Sequence, residues 1–458
     1  CIGVFLFGTA IGAAASAYLV LRYSNTSRLI LMFTAITAVF TCFIVFWSNL
    51  AYELVGKTME GISRTWGGYV IFALSVLALS YLFLAFSAGT ILPLLQHILS
   101  TNNINTPGAN AGKLLLANTL GSTSGPILLS FILIPSIGTV RSAGIISLFL
   151  IFPVIIFITL WSRKRASVTL SGIVLACTVV FSLLFQEDSI LSRPILQRKG
   201  RNTFVLKQYE GPSALITVLK DRLSHVTTLQ INGIDEVSTD IVSLQTFKML
   251  AHLPFLVHKN EQPDTVLIIA LGAGITSSSV LKHKTVDVTC IEICPEVLSS
   301  LKFFSKQNSN FNPEKYGNFS LIFDDGRNFL RQTDMKFDVI IQDATHPIAP
   351  DSWMLYTREY YETCKKKLRP DGIFCQWLPL HSISSQDVIS ILKTCYSIFP
   401  GKTILWFVNG HCIIMAGGIP EKLDARTIQA RLSEECYSEL DRVGLRSAKV
   451  ICSLLLFD

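Results

Sequence analysis

The sequence predicts a multi-pass α-helical membrane domain followed by a Rossmann-like α/β domain, with a small β-hairpin subdomain at the start of the latter. Three observations predict it. Apolar runs of about 20 residues, long enough to cross a bilayer core, succeed one another through residues 1–190. Charge is partitioned: residues 1–200 carry 12 Lys/Arg and 4 Asp/Glu, and residues 201–458 carry 27 and 28. From Asn202 onward, short apolar runs alternate with helical ones, the pattern of a parallel, doubly wound sheet. The chain as a whole is 16% charged, against about 25% for a soluble protein. That composition excludes a disordered chain and an ordinary soluble enzyme. The net charge of +7 lies between apolar runs rather than in one patch, so no nucleic-acid partner is expected.

Six spans are expected: Ile2–Leu21, Leu29–Leu50, Tyr69–Leu95, Leu114–Ile134, Ala143–Trp161 and Val168–Phe185. A cleaved signal peptide would explain only the first. The chain opens at Cys1 inside an apolar run and reads as a piece lacking earlier residues. Gly3, Gly8, Gly12 and Ala13–Ala15 give the first span small residues that let helices approach closely. Glu53 and Glu60 are expected in a solvated loop, and Lys113 and Arg141 at span ends. Arg22 and Arg28 after the first span, and Arg163–Arg165 after the fifth, place both loops in the cytoplasm. A sixth span would then put the soluble domain outside. Arg193, Arg198, Lys199 and Arg201, and the chemistry of the soluble domain, argue for a cytoplasmic soluble domain at an inner membrane. Leu114–Ile134, interrupted by Gly121, Gly125 and Pro126, is the span most open to being miscounted or re-entrant.

Residues 202–260 read as a hairpin subdomain and a helix. Strands are expected at Thr203–Gln208, Ser213–Lys220 and Thr227–Ile231, then a helix at Leu244–His252. Residues 261–420 supply the doubly wound sheet. Strands are expected at Thr265–Leu271, Val286–Ile291, Phe319–Phe323, Phe337–Gln342 and Ile373–Trp377. Helices are expected to Lys282, at Arg358–Leu368 and at Ser385–Phe399, and Asn409-Gly410 joins a hairpin of Thr403–Val408 and His411–Ala416. Residues 421–458 read as a helical tail whose last run, Val450–Phe457, ends abruptly. Of eleven cysteines none forms a CxxC pair, and Cys290 and Cys294 lack a matching His/Cys partner set. Buried free thiols and no metal are expected, which suits a reducing compartment.

In such sheets ligands bind beyond the carboxyl ends of the strands. Gly272-Ala273-Gly274 ends the first strand, and Glu292, Asp325 and Asp343 end the next three. Glycines let backbone N–H groups approach a ligand, and an acid after the second strand can accept from a ribose diol. Each feature alone also fits a tight turn or a helix cap. Together they point to a nucleoside-cofactor site.

These residues resemble the spermidine synthase family, in particular its membrane-fused members. The matching stretches are Asn232-Gly233, Leu250–His258, Val266–His283, Cys290–Val297, Asp324–Leu330, Phe337–Pro347, Leu355–Glu362 and Leu368–Leu380, in the family's order. The resemblance implies a methyltransferase-type fold and transfer of an aminopropyl group from decarboxylated S-adenosylmethionine to an amine. It implies that Asp343 takes the amine proton. Glu292 would bind ribose, Asp325 beside Gly326 would read the adenine amino group, and Gly272 and Gly274 would line the cofactor turn. His346 and Gln376 would lie at the substrate, no metal would be needed, and chains would pair as homodimers. There are departures. Soluble synthases have GGGDGG where this chain has ALGAGI, so Ala273 stands at an acid position. His346 replaces the second acid of Asp-x-x-Asp-Pro, and Lys248, expected to be solvated, stands where the family has a glutamate. An S-adenosylmethionine-dependent methyltransferase, and a membrane transport or scaffold protein with a degenerate nucleotide-binding domain, are the alternatives.

Overall fold

A computed structural model describes residues 2–58, 66–102, 107–161, 202–259, 263–283, 286–343, 346–349, 352–380 and 383–457. The sixth expected span, Val168–Phe185, and the basic residues from Arg163 to Arg201 lie outside them, as does Glu60. The chain divides into two units, Cys1–Gly200 and Arg201–Asp458.

The first unit is helical: α1 (Ile2–Arg22), α2 (Thr26–Cys42), α3 (Ile44–Thr58), α4 (Trp66–Asn102), α5 (Pro107–Leu128), α6 (Ile134–Ile137) and α7 (Thr139–Trp161). Four described stretches are long and apolar enough to cross a membrane: Ile2–Arg22, Val70–Thr101, Gly108–Ile137 and Thr139–Ile156. The expected second span is not one straight helix. It breaks at Phe43, and its two parts meet at 70°. The Phe43 N–H turns back to Val39 and Thr41 carbonyls, and the Trp47 indole donates to the Leu79 carbonyl of α4 at 2.6 Å. Glu53 is half-buried on α3, not in a loop, because the helix runs on to Thr58. Gly121, Gly125 and Pro126 do not interrupt α5. A π-helical turn, Leu129–Leu133, follows the proline and carries the helix into α6. Pro126 lacks the N–H that would bond one turn back, and an enlarged turn is one way a helix absorbs such a mismatch.

The small residues of α1 work as close-packing positions. Gly8, Gly12 and Ser16, four apart, form its buried face. A Cβ added at Gly12 would lie 2.2 Å from the Phe86 carbonyl oxygen, and one at Gly8 2.7 Å from the Ala85 Cβ. From the other side, Gly89 of α4 meets the backbone of Thr9. Gly3 has open space around it and Ala14 is exposed, so neither belongs to this seam.

The second unit holds two sheets. The first is four-stranded and antiparallel: β1 (Thr203–Glu210), β2 (Leu215–Asp221), β3 (Thr227–Ile231) and β4 (Ile234–Ser238). β4 is a strand the sequence reading did not include. Asn232 and Gly233 both take positive φ, the geometry that turns β3 tightly into β4. The buried helix α8 (Ile241–Val257) follows, capped by Asp240, whose carboxylate accepts from the Val242 and Ser243 N–H groups.

The second sheet has eight strands in the order β12-β10-β11-β9-β8-β5-β6-β7. These are β5 (Thr265–Ile269), β6 (Asp287–Glu292), β7 (Phe319–Phe323), β8 (Phe337–Gln342), β9 (Leu368–Pro379), β10 (Thr403–Val408), β11 (His411–Gly417) and β12 (Leu455–Phe457). β7, β6, β5, β8 and β9 run parallel, and β9, β11, β10 and β12 pair antiparallel. The helices are α9 (Ile275–Val280), α10 (Gly326–Gln332), α11 (Arg358–Lys367), α12 (Ser385–Ile398), α13 (Ala425–Arg431), α14 (Glu434–Asp441) and α15 (Ala448–Cys452). Alternate residues feed cores on opposite faces: Val266 and Ile268 one, Leu267 and Ile269 the other. This is why the strands read as unbroken apolar runs.

Two expectations change. β9 begins at Leu368 rather than Ile373, so Pro370 and Gly372 lie within it, beside a register irregularity against β8. The tail expected to be helical closes on a strand: Leu455 of β12 pairs with Trp406 of β10 at the sheet edge. Eight of the nine described cysteines are buried thiols, Cys452 being the half-buried one.

Replacing Gly12 with leucine is expected to destabilise the helical unit by about 1–3 kcal/mol, the usual overpacking range. The change reads as a lower Tm of the full-length chain in detergent. Gly3→Leu, in open space, should leave Tm unmoved. Equal effects of the two would show that the seam does not hold α1 on α4.

Candidate active site

The sheet order reverses beside β5, whose neighbours β6 and β8 connect to opposite sides. Such a switch point opens a crevice at the strands' carboxyl ends. The expected acids flank it. Glu292 ends β6, Asp343 follows β8, and both are buried. The Asp343 N–H donates to the Ile269 carbonyl at 3.0 Å, so the backbone of Asp343 is tied to the end of β5.

The turn after β5 is strained and specific. Ala270, Gly272 and Gly274 have φ of +72°, +53° and +71°. Alanine in this region carries a steric penalty of about 1–2 kcal/mol that glycine lacks. Gly274 opens α9, and a Cβ there would meet the Phe311 ring at 2.7 Å. At Gly272 a Cβ would meet Val237 of β4 at 3.2 Å, so the small sheet covers the turn closely. The Glu292 carboxylate holds this turn: Oε2 accepts from the Leu271 N–H at 2.8 Å and Oε1 from the Cys294 N–H at 2.8 Å. Burial raises the Glu292 carboxyl above its ordinary range, and these N–H groups pull it back.

Asp325 is the N-cap of α10, its Oδ1 accepting from the Arg327 N–H at 2.7 Å. A Cβ on Gly326 would sit 2.7 Å from Ile269 Cγ2, so this glycine lets α10 approach β5. His346 is buried. Its N–H donates to Glu236 at 3.3 Å, its Nδ1 accepts from the Ile348 N–H at 3.3 Å, and its ring meets Trp377 edge-on at 6.0 Å. Gln376 is fully buried. Its amide N–H groups reach Gln342 at 2.8 Å and the Leu355 carbonyl at 3.0 Å, and its oxygen accepts from the Tyr361 hydroxyl at 2.7 Å. It therefore braces Gln342, the residue before Asp343, from the neighbouring strand. Ala344 and Thr345 lie outside the described residues.

Two residues depart from the sequence reading. Lys248 is not solvated. It is buried on α8, its Nζ 2.9 Å from Glu439 and 2.8 Å from the Ser279 hydroxyl, because α14 folds over that helix. Glu236 was not recognised at all. It sits on β4, buried, facing the Asp343 side of the crevice through His346. Burial pushes its carboxyl from 4.5 up to about 8, with the charges of Glu292, Asp235 and Asp343 adding to the rise and the His346 N–H opposing it. The Asn232-Gly233 turn was the available signal, since it implies a following strand, the one that carries Glu236.

A doubly wound sheet with a glycine turn and buried acids at its switch point defines a Rossmann-like, methyltransferase-type α/β protein. Residues 245–409 match the spermine/spermidine synthase domain. A polyamine aminopropyltransferase of Erwinia tasmaniensis is 41% identical over 198 residues, covering 41% of this chain and 67% of that protein. One from Shigella boydii is 42% identical over 130 residues, and there the chain spans 43% of the relative's length. A spermidine synthase crystallised with the transition-state analogue AdoDATO superimposes with a TM-score of 0.46 at 22% identity, covering 56% of this chain and 85% of that one. The chain belongs to the spermine/spermidine synthase family, whose members are transferases.

The Glu236 carboxyl gives stability a defined pH slope. The folded chain keeps this proton between pH 4.5 and 8, while the unfolded chain releases it. Stability therefore falls as pH rises through that window, by up to about 1.4 kcal/mol per unit. Glu236→Gln, which keeps an acceptor for the His346 N–H, should flatten the decline of Tm between pH 5.5 and 7.5. An unchanged slope would place the proton elsewhere.

Proposed function

We propose that the chain transfers an aminopropyl group from decarboxylated S-adenosylmethionine to a small amine, with Asp343 as the base. The observation that carries this reading is the set of three buried carboxyl groups, Asp343, Glu292 and Glu236, around one strand-end crevice. Glu236 keeps its proton below pH 8, so the negative charge there belongs to Asp343 and Glu292, which attracts a cationic amine and repels a carboxylate-bearing cofactor. That charge pattern favours the decarboxylated nucleoside over S-adenosylmethionine itself, and so aminopropyl over methyl transfer.

In the proposed step the amine nitrogen attacks the carbon beside the sulfonium. The C–S bond breaks and its electron pair stays on sulfur, leaving a neutral thioether. The nitrogen loses a proton to Asp343. Holding the amine in line and taking that proton are the residue's two contributions. Glu292, at the end of β6, is the residue that would meet a ribose diol. Asp325, with Oδ1 used as a cap, offers Oδ2 to an adenine amino group beside Gly326, and Gly272 and Gly274 line the turn. His346 and Glu236 face the amine in place of the family's acid. Gln376 acts as a positioning residue through Gln342.

We further propose that the helical unit anchors the enzyme in a bilayer, with the soluble unit on the cytoplasmic side. Large apolar side chains such as Phe7, Leu116, Leu120, Phe131 and Phe149 face outward from it, which suits a lipid surroundings.

For the full-length chain in detergent, Asp343→Asn should lower transfer by at least about 100-fold, within the range of a lost general base. Calorimetric binding of methylthioadenosine should survive that change. Equal turnover would remove Asp343 from the base role. Wild-type chain should release heat with methylthioadenosine and decarboxylated S-adenosylmethionine, and less with S-adenosylmethionine. Tightest binding of the last would instead favour methyl transfer. A reporter fused after Asp458 should be active only in its cytoplasmic form, and a periplasmic signal would reverse the orientation.

A further inference from the structure

The cysteine spacings predict no metal cluster, but the fold assembles a donor set that no spacing reveals. His252 lies on α8, His283 just after α9, and Cys436 on α14. One nitrogen of each imidazole and the Cys436 sulfur lie within 4.8 Å of one another. His252 Nδ1 and His283 Nε2 are 3.0 Å apart, and the Cys436 Sγ is 3.8 Å from that Nε2. Ligands at zinc distances of about 2.0–2.1 Å for nitrogen and 2.3 Å for sulfur would stand roughly 3.3–3.6 Å apart around a tetrahedral centre. Shifts of a few tenths of an ångström would bring the two measured separations into that range.

The surroundings orient these donors. Glu439 Oε2 lies 3.2 Å from His252 Nε2, and its Oε1 is held by Lys248 at 2.9 Å. A carboxylate accepting from one ring nitrogen leaves the other, Nδ1, as a lone pair, the arrangement that supports a metal-binding histidine. The Phe255 ring stacks on His283 at 3.8 Å with planes 7° apart, which holds that imidazole in place. His283 also borders a cavity of about 720 Å³, together with Ser433, Glu434 and Glu435. The cavity gives a cation an entry path and room for water as a further ligand, and its two acids offset the charge.

We propose that His252, His283 and Cys436 form a binding site for a divalent cation of borderline softness, zinc in the first instance. Two imidazoles and a thiolate favour zinc over magnesium or calcium, which take oxygen ligands. The site joins α8 to α14, away from the strand-end crevice, and does not rest on the proposed reaction.

The test uses the full-length, chelator-treated chain in detergent, titrated with Zn²⁺ and with Co²⁺ alone. One equivalent of Zn²⁺ should bind and raise Tm. Co²⁺ should show near-ultraviolet thiolate-to-metal charge transfer and tetrahedral visible bands. Cys436→Ser, nearly isosteric, should weaken Zn²⁺ binding at least tenfold and abolish the charge-transfer band. His283→Gln should weaken binding similarly, with circular dichroism unchanged in both variants. Failure of the wild-type chain to bind Zn²⁺ would overturn the proposal. So would binding indifferent to Cys436, or a Co²⁺ complex without thiolate charge transfer.

Discussion

The buried carboxylate of Glu292 accepts the Leu271 N–H across the gap between β6 and β5. This bond matters because the turn it holds cannot hold itself by regular pairing. Three of its residues sit at positive φ, one of them an alanine. Left to local preference, such a turn would relax by about 1–2 kcal/mol. The Glu292 bonds to Leu271 and Cys294, the packing of Phe311 against Gly274 and the cover of Val237 over Gly272 keep it in place. Once it is in place, the ends of β5, β6 and β8 are aligned, and Asp343 is tied to Ile269 by its own N–H. The crevice follows from that alignment.

The small sheet is a working part of the same region. β4 brings Val237 against the glycine turn and Glu236 against the His346 backbone. A carboxyl group is thereby delivered from a second sheet to a crevice whose other acids come from the strand ends. Burial and like charge favour its protonated form, which tempers the concentration of negative charge around Asp343. Glu236 stands beside His346, accepting from its backbone N–H.

In the helical unit the α1–α4 seam depends on backbone closeness, while polar bonds such as Trp47 to the Leu79 carbonyl and Thr37 to Ser87 tie α3 and α2 to α4. Gly8, Gly12 and Gly89 bring α1 and α4 to separations at which a single methyl group would collide with main-chain or side-chain atoms. The low charge of the chain belongs to this unit, and the balanced charge belongs to the other.

Much of the fold was legible in the sequence. β7, β8 and β10 fall where apolar runs and turn residues place them: β8 is a buried parallel strand with an unbroken hydrophobic signature, β7 is an apolar run closed by Asp324-Asp325, and β10 is bounded by the Asn409-Gly410 turn. The strand-end acids were legible for the same reason: a polar residue ending such a run stands out. Glu236 was not, since β4 is short and its alternation weak. The roles of Lys248, Gln376 and the His252–His283–Cys436 group were not legible either. Each depends on partners 15 to 191 residues away, and sequence spacing carries no distance information at that range. The sequence by itself determined periodicity, turns and the partition of charge, which are local properties of the chain. Only the tertiary structure decided which polar groups share a buried space, because that depends on the strand order and on where the last helices fold back.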